Sequence, residues 1–330
     1  MRQTVDVLSL GGTIAMTPGA PGAGVLPTLT ASDLLAAVPE AADVANVRAQ
    51  SVLGVPSSEI TLPDIVALAA RITALRQAGS GGVVVTQGTD TIDETAFALD
   101  LLLPVGPPVI VTGAMRHPAL PGADGPANLL AAIRCAASPA CAGLGVLVVM
   151  GDVLHSAVSV AKTDTASPAA FASSSPVGFV SEGTPVIRCR PIRLPSLPDM
   201  TLRDAEAPFV PILTPALGDD DRMIRAAVGA GADGLVLALS GGGHTTAACA
   251  IVLAEAAQRL PVVFASRTGG GRVLSATYGQ KGGEIDLASK GCVGAGDLSP
   301  LKARLLLSLL IMAGKADQFT RHCRFETARE

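Results

Sequence analysis

A chain of 330 residues is long for one ordinary core, and with 49% apolar residues it can bury two. A formal net charge of −4 and an aromatic content of 2% exclude the basic face and stacking rings of a nucleic-acid binder. Pro, Gly or charge cuts every apolar run short of a membrane span.

The N-terminal stretch MRQTVDVLSLGGTIAM begins with a β-like run, TVDVLSL, and an Asp interrupts it, so a signal peptide is not expected. The run ends in Gly11, Gly12 and Thr13. Two glycines let the backbone turn tightly beside a small hydroxyl. The G-x-G-x-x-G spacing of a dinucleotide site and the G-K-[ST] ending of a phosphate loop are both missing. The turn therefore suits presentation of a hydroxyl nucleophile, and it equally suits a plain Gly-rich turn with Thr13 as a cap. The next segment, MTPGAPGAGVLPTLT, has many Gly and Pro residues and little bulky apolar surface, so it reads either as a lid or as a static cover.

LPDIVALAARITALRQAG has helical apolar spacing and a Gly stop. VVVTQ then reads as a buried strand running into Gly88, Thr89 and Asp90. Thr91 and Glu94 have the spacing of a capping box, which predicts a helix starting at Ile92. A strand-to-helix turn of this kind offers free N–H groups and a positive partial charge to an oxyanion or a carboxylate. The same residues also suit a turn with no chemistry. PVIVTG and GVLVVMG are further strands, and ETAFALDLLL and GPANLLAAIRCAA further helices. The alternation predicts an α/β fold with a mostly parallel sheet and helices on both faces.

From Gly151 to about Ile192 the pattern weakens into short strands and loops. Residues 193–208, rich in Pro and without a period, read as a linker. A second α/β series follows: strand FVPILT, helix DDRMIRAAVGAGA, strand GLVLALS, helix TTAACAIVLAEAAQRL, strand PVVFAS and helix PLKARLLLSLLIMAG. This gives a larger N-terminal domain over residues 1–192, carrying the candidate motifs, and a smaller C-terminal one over 209–330.

A hydroxyl nucleophile needs a base. The four histidines fall in no motif with Thr13, and His155 and His244 read as loop residues. Lys162, in the charge-poor stretch VAKTDTA, is the other option, because partial burial lowers a lysine's proton affinity. A surface lysine on a strand edge fits that stretch as well. The six cysteines show no C-x-x-C pair and no zinc spacing with histidine, as expected of free thiols in a reducing cytoplasm.

Taken together, GGTIA, TQGTDTIDETA, VTGAMR followed by ADGPANL, and KTDT resemble the bacterial-type L-asparaginases in order and spacing, from about residue 4 to residue 313. The resemblance implies hydrolysis of asparagine to aspartate and ammonia through a threonine ester, without metal or organic cofactor. It implies that Thr13 is the nucleophile. Thr89, Asp90 and Lys162 would form a hydrogen-bonded set in which Thr89 and Lys162 assist proton movement and Asp90 binds the α-ammonium group. Ser57 would bind the α-carboxylate, with Ser58 and Glu59 beside it. Gly12 and Gly88, which precede the two threonines, would join Ser57, Ser58 and Glu59 in binding substrate, and Ala114 would lie by the scissile amide. A homo-oligomer is implied as well, a tetramer of intimate dimers with sites at a dimer interface.

The sequence departs from the family in places. The segment after GGTIA lacks the tyrosine that usually contacts the nucleophile, and the one tyrosine, Tyr278, is remote. Tyr278, with Glu284, is expected either to reach the site from the partner subunit or to be an ordinary loop residue. Ser58, Glu59 and His244 stand where many members have Gln, Asp and Asn. These changes predict weaker glutaminase than asparaginase activity. Two other functions stay open: an amidase acting on glutamine, D-asparagine or a glutamyl group on tRNA, the last disfavoured by the absence of a basic patch, and a catalytically silent binder of small acidic amino acids. The presence of Thr13, Thr89, Asp90 and Lys162 favours an enzyme.

Overall fold

The computed structural model describes residues 2–19, 24–197 and 206–323. It divides into two compact units, Met1–Arg193 and Leu194–Glu330. The centre of the expected lid segment (20–23) and part of the expected linker (198–205) lie outside the described residues. Arg193, the first residue of that linker, is anchored in unit 1: its Nε donates to Asp100 Oδ1 (3.1 Å) and its Nη2 to the Asp100 carbonyl (2.8 Å).

Unit 1 begins with β1 (Thr4–Ser9), the short pair β2 (Met16–Pro18) and β3 (Val25–Pro27), α1 (Ala31–Ala36), α2 (Ala41–Val44) and β4 (Asn46–Ser51). It continues with α3 (Leu62–Gln77), β5 (Gly82–Thr86), α4 (Ile92–Leu102), β6 (Val109–Thr112), α5 (Gly125–Ala136) and β7 (Val146–Met150). Five short strands complete it: β8 (Val153–Ser156), β9 (Ala161–Lys162), β10 (Phe171–Ala172), β11 (Gly178–Ser181) and β12 (Thr184–Ile187). Eight strands form one sheet in the order β12-β11-β8-β7-β6-β5-β1-β4. The run from β4 to β7 is parallel, and β8, β11 and β12 extend it antiparallel.

Alternation along the strands decides which helix each face meets. Val5, Val7, Val84, Ile110, Leu147 and Val149 join Leu34, Ala41, Leu129 and Ile133 of α1, α2 and α5 in one core. The intervening Val83, Val85, Val109 and Val111 are also buried, on the opposite face, where α4 packs on β6 and β7. A sheet covered on both sides explains why VVVT is apolar without alternation.

Helix α4 starts at Ile92 as expected, but the expected capping box does not form. A 3-10 turn, Thr89–Thr91, precedes the helix, and the Thr91 side chain makes no capping bond. Capping boxes form instead at α1 (Thr30 with Asp33) and α3 (Thr61 with Asp64). His155, expected in a loop, lies buried on β8 with Nδ1 2.7 Å from Ser173 Oγ, and burial lowers its proton affinity.

Unit 2 is a smaller α/β layer. The FVPILT strand shrinks to β13 (Ile212–Leu213), followed by α6 (Arg222–Gly229), β14 (Leu235–Leu239), α7 (Ala247–Ala257), β15 (Val262–Ser266), α8 (Glu284–Ser289), β16 (Val293–Gly294), α9 (Pro300–Met312) and α10 (Phe319–His322). The four strands are parallel in chain order. Helices α6 and α7 close one core over the sheet, while α9 packs on β14 and β15.

Candidate active site

The carboxyl ends of β1, β5 and β6 are neighbours in the sheet, so the turns that follow them meet. Leu10 N donates to Thr86 O (2.8 Å) and Gln87 N to Thr112 O (3.1 Å), which carries the pairing one step past each strand. Beyond that step, glycines let the turns touch. Gly12 has φ 82° and ψ −176°, a conformation open in practice to glycine alone. A Cβ there would lie 1.9 Å from Gly88 N, so the two motif turns are in backbone contact. A Cβ on Gly88 would lie 2.8 Å from Ser57 Oγ, and one on Gly113 would lie 3.3 Å from Thr89 Cγ2. Gly12, Ser57, Gly88, Thr89 and the Gly113–Ala114 turn therefore line one cradle.

Thr13 opens the 3-10 turn Thr13–Ala15 and is half-buried. Thr89 is 6% exposed and opens its own 3-10 turn, where the first N–H groups have no partner within the turn. Lys162 reaches this point from β9: its Nζ donates to Thr89 Oγ1 (2.9 Å) and to Asp90 Oδ1 (2.6 Å). The Lys162 side chain is 16% exposed, whereas that of Asp90 is 74% exposed. Lys162 is thus not a surface lysine on a strand edge. Its ammonium bridges a buried hydroxyl and a carboxylate that faces solvent. Ser57 is buried, while Ser58 and Glu59 in the same turn are exposed.

Three supporting residues escaped the sequence reading. Asp124, just before α5, accepts from Met115 N (3.0 Å) and Arg116 N (2.9 Å), pinning the turn after Ala114. Asn128 donates to Gly113 O (3.0 Å) and accepts from Gly151 N (2.9 Å). Asp93 Oδ2 accepts the backbone N–H of Lys162 at 3.4 Å. The stretch ADGPANL was the available signal for the first two, but spacing alone does not reveal which loop a carboxylate will hold.

His244, Tyr278 and Glu284 form a cluster in unit 2. Glu284 is fully buried and accepts from Thr277 N (2.8 Å), Tyr278 N (2.7 Å) and His244 Nε2 (3.2 Å). Burial acts to raise its proton affinity, but those donors outweigh it and hold the carboxyl below the ordinary glutamate range. Tyr278 is 43% exposed, and its ring stands edge-on to that of His244 with centroids 4.7 Å apart. Among the described residues, no group of three His, Cys, Asp or Glu side chains is placed to hold a metal ion.

Comparison with known proteins places both units in one group. Residues 4–192 match the family model "Asparaginase, N-terminal", and residues 210–323 match "Glutaminase/Asparaginase C-terminal domain". The chain is 35% identical over 322 residues to L-asparaginase 2 of Bacillus subtilis (strain 168), covering 93% of this chain and 82% of that one. It is 34% identical over 327 residues to L-asparaginase 2 of Escherichia coli (strain K12), covering 95% and 90%. Its fold superimposes on the crystal structure of a probable cytoplasmic L-asparaginase from Campylobacter jejuni with a TM-score of 0.86 at 29% identity, covering 97% of this chain and 100% of the other.

Proposed function

The chain belongs to the asparaginase family, and on that premise we propose that it hydrolyses the side-chain amide of L-asparagine to L-aspartate and ammonia, with Thr13 as nucleophile. The observation that carries this reading is the Lys162 bridge to Thr89 and Asp90, beside the turn that Gly12 packs against Gly88.

In this scheme Thr13 Oγ1 attacks the amide carbon, and the developing oxyanion is held by the N–H of Thr89 and neighbouring turn donors. Lys162 and Thr89 carry the Thr13 hydroxyl proton to the amide nitrogen, which lets ammonia leave. The β-aspartyl ester on Thr13 is then hydrolysed by water, which returns the hydroxyl. Asp90 holds the α-ammonium group, Ser57 the α-carboxylate, and the pinned Ala114 turn lies along the amide, with Ser58 and Glu59 at the exposed rim.

The family premise also supports a homo-oligomer, a tetramer of intimate dimers, in which His244, Tyr278 and Glu284 complete a partner's site. Glu284 then acts by holding the Thr277–Tyr278 backbone, and the half-exposed Tyr278 takes the place of the missing lid tyrosine. Tyr278→Phe with undiminished activity removes this part of the reading. Among the described residues, no helix is long and apolar enough to cross a membrane. Six cysteines, none of them in a disulfide, support a reducing, cytoplasmic setting.

Ammonia release by the purified chain from L-asparagine and L-glutamine in parallel, with Thr13→Ala as control, tests the proposal. Release from asparagine that vanishes in the variant and exceeds release from glutamine is expected. A folded protein that releases no ammonia from either amide refutes it.

A further inference from the structure

The turn that opens α4 holds two polar side chains that the reaction leaves unused. Gln87 is fully buried just past β5, and its Nε2 donates to Gly88 O (3.3 Å) and Thr91 Oγ1 (3.2 Å). A carbonyl oxygen can only accept, so Gly88 O fixes which end of the Gln87 amide points this way. Thr91 Oγ1 therefore accepts from Gln87 and keeps one proton to give. It gives it to Ser57 O at 3.1 Å. The bonds run in one direction, from Gln87 through Thr91 to Ser57, across 34 residues of chain in the last step.

The receiving end needs such a tie. The 3-10 turn Ser57–Glu59 is a surface turn in which Ser57 is the buried residue, so little apolar packing fixes it. On its other side Ser57 Oγ lies against Gly88, with no room for a Cβ between them. The Thr91 bond to the Ser57 carbonyl thus sets where the Ser57 hydroxyl stands relative to Gly88 and Thr89.

We propose that Gln87 and Thr91 are positioning residues for the substrate's α-carboxylate, acting through the Ser57 carbonyl without touching substrate. The inference rests on the reading of Ser57 as the α-carboxylate donor. Thr91, at the right position and spacing, does not cap α4; its hydroxyl is turned toward Gln87 and Ser57 instead.

The test is steady-state ammonia release from L-asparagine and from 3-aminopropanamide, which is asparagine without its α-carboxylate, measured at high enzyme concentration with a thermal melt of each variant. Thr91→Val keeps the shape and removes the relay. It is expected to raise KM for asparagine about tenfold, the effect of one lost hydrogen bond, with kcat held within about twofold. On 3-aminopropanamide its kcat/KM should equal that of the wild type. Thr91→Ser should restore KM, and Gln87→Leu, which frees the Thr91 hydroxyl to rotate, should give a smaller loss of the same pattern. Ser57→Ala should lose activity on asparagine alone. Equal losses for Thr91→Val on both amides, no loss on either, or no rescue by Thr91→Ser overturns the inference. If Ser57→Ala keeps its selectivity in those cases, the reading of Ser57 survives. If Ser57→Ala instead weakens both amides equally, the carboxylate reading falls and the inference falls with it.

Discussion

Gly12→Ala is the most demanding test of the site's architecture, because its effect is set by backbone contact. The Gly12 conformation, φ 82° and ψ −176°, lies where a residue with a Cβ is strained by about 1–3 kcal/mol. The new methyl would meet Gly88 N at 1.9 Å, Gly88 Cα at 2.2 Å and Gln87 C at 2.6 Å. These are backbone atoms of a turn tied into the sheet, so no side chain can swing away. To reach a tolerable contact, the two turns must part by about 1 Å, a displacement that costs on the order of 10²-fold in rate when it falls between reacting groups. Thr13 is the next residue and Thr89 follows Gly88, so the separation falls between the proposed nucleophile and its proton carrier. The expected result is a loss of kcat of at least about 10²-fold, together with a lowered melting temperature. Gly229→Ala is the control: that glycine ends α6, its Cβ would meet nothing within 4 Å, and activity should be unchanged. A Gly12→Ala protein that keeps more than about a tenth of wild-type kcat and melts normally would refute the contact between the two turns.

Further outcomes follow from the same geometry. Thr13→Ala should lower kcat by about 10⁴-fold or more with little change in melting temperature, since the residue is half-buried and supplies the reacting oxygen; residual turnover near wild type would exclude it as nucleophile. Lys162→Met removes the donor to Thr89 and Asp90 and should cost about 10²–10⁴-fold in kcat, read by steady-state ammonia release. Asp100→Ala leaves the Arg193 guanidinium beside a void, with the two side chains 4% and 14% exposed before the change, and should destabilise the fold by about 3–5 kcal/mol in denaturant unfolding. Glu284 binds its proton more weakly folded than unfolded, so its contribution to stability is complete above the ordinary value of 4.5 and is lost as pH falls through the lower folded value. Glu284→Gln should therefore flatten the acid limb of the melting-temperature profile, and an unchanged slope would show that the carboxylate is not held ionised.

What the sequence determined by itself is local and periodic. The apolar runs of β1, β5, β6, β7, β14 and β15 and the helical spacing of α3, α5, α7 and α9 were legible because burial on two sheet faces, or on one helical stripe, imposes a pattern on neighbouring residues. Gly12 and Gly88 were legible as turn glycines, and the four motifs in order carried the resemblance to the family. The tertiary structure decided the partners. Thr91 and Glu94 have capping-box spacing, yet the Thr91 hydroxyl turns to Ser57 and Gln87, since a local spacing rule does not include the partners that other turns bring to the hydroxyl. Asp124 stands like a cap before α5 but spends its carboxylate on Met115 and Arg116. Lys162 could read from its neighbours as a strand-edge surface residue, and becomes a bridging ammonium only because β9 returns across 73 residues of chain to Thr89. Side-chain periodicity is written into adjacent residues, whereas a hydrogen bond between turns depends on where the sheet order brings their strands.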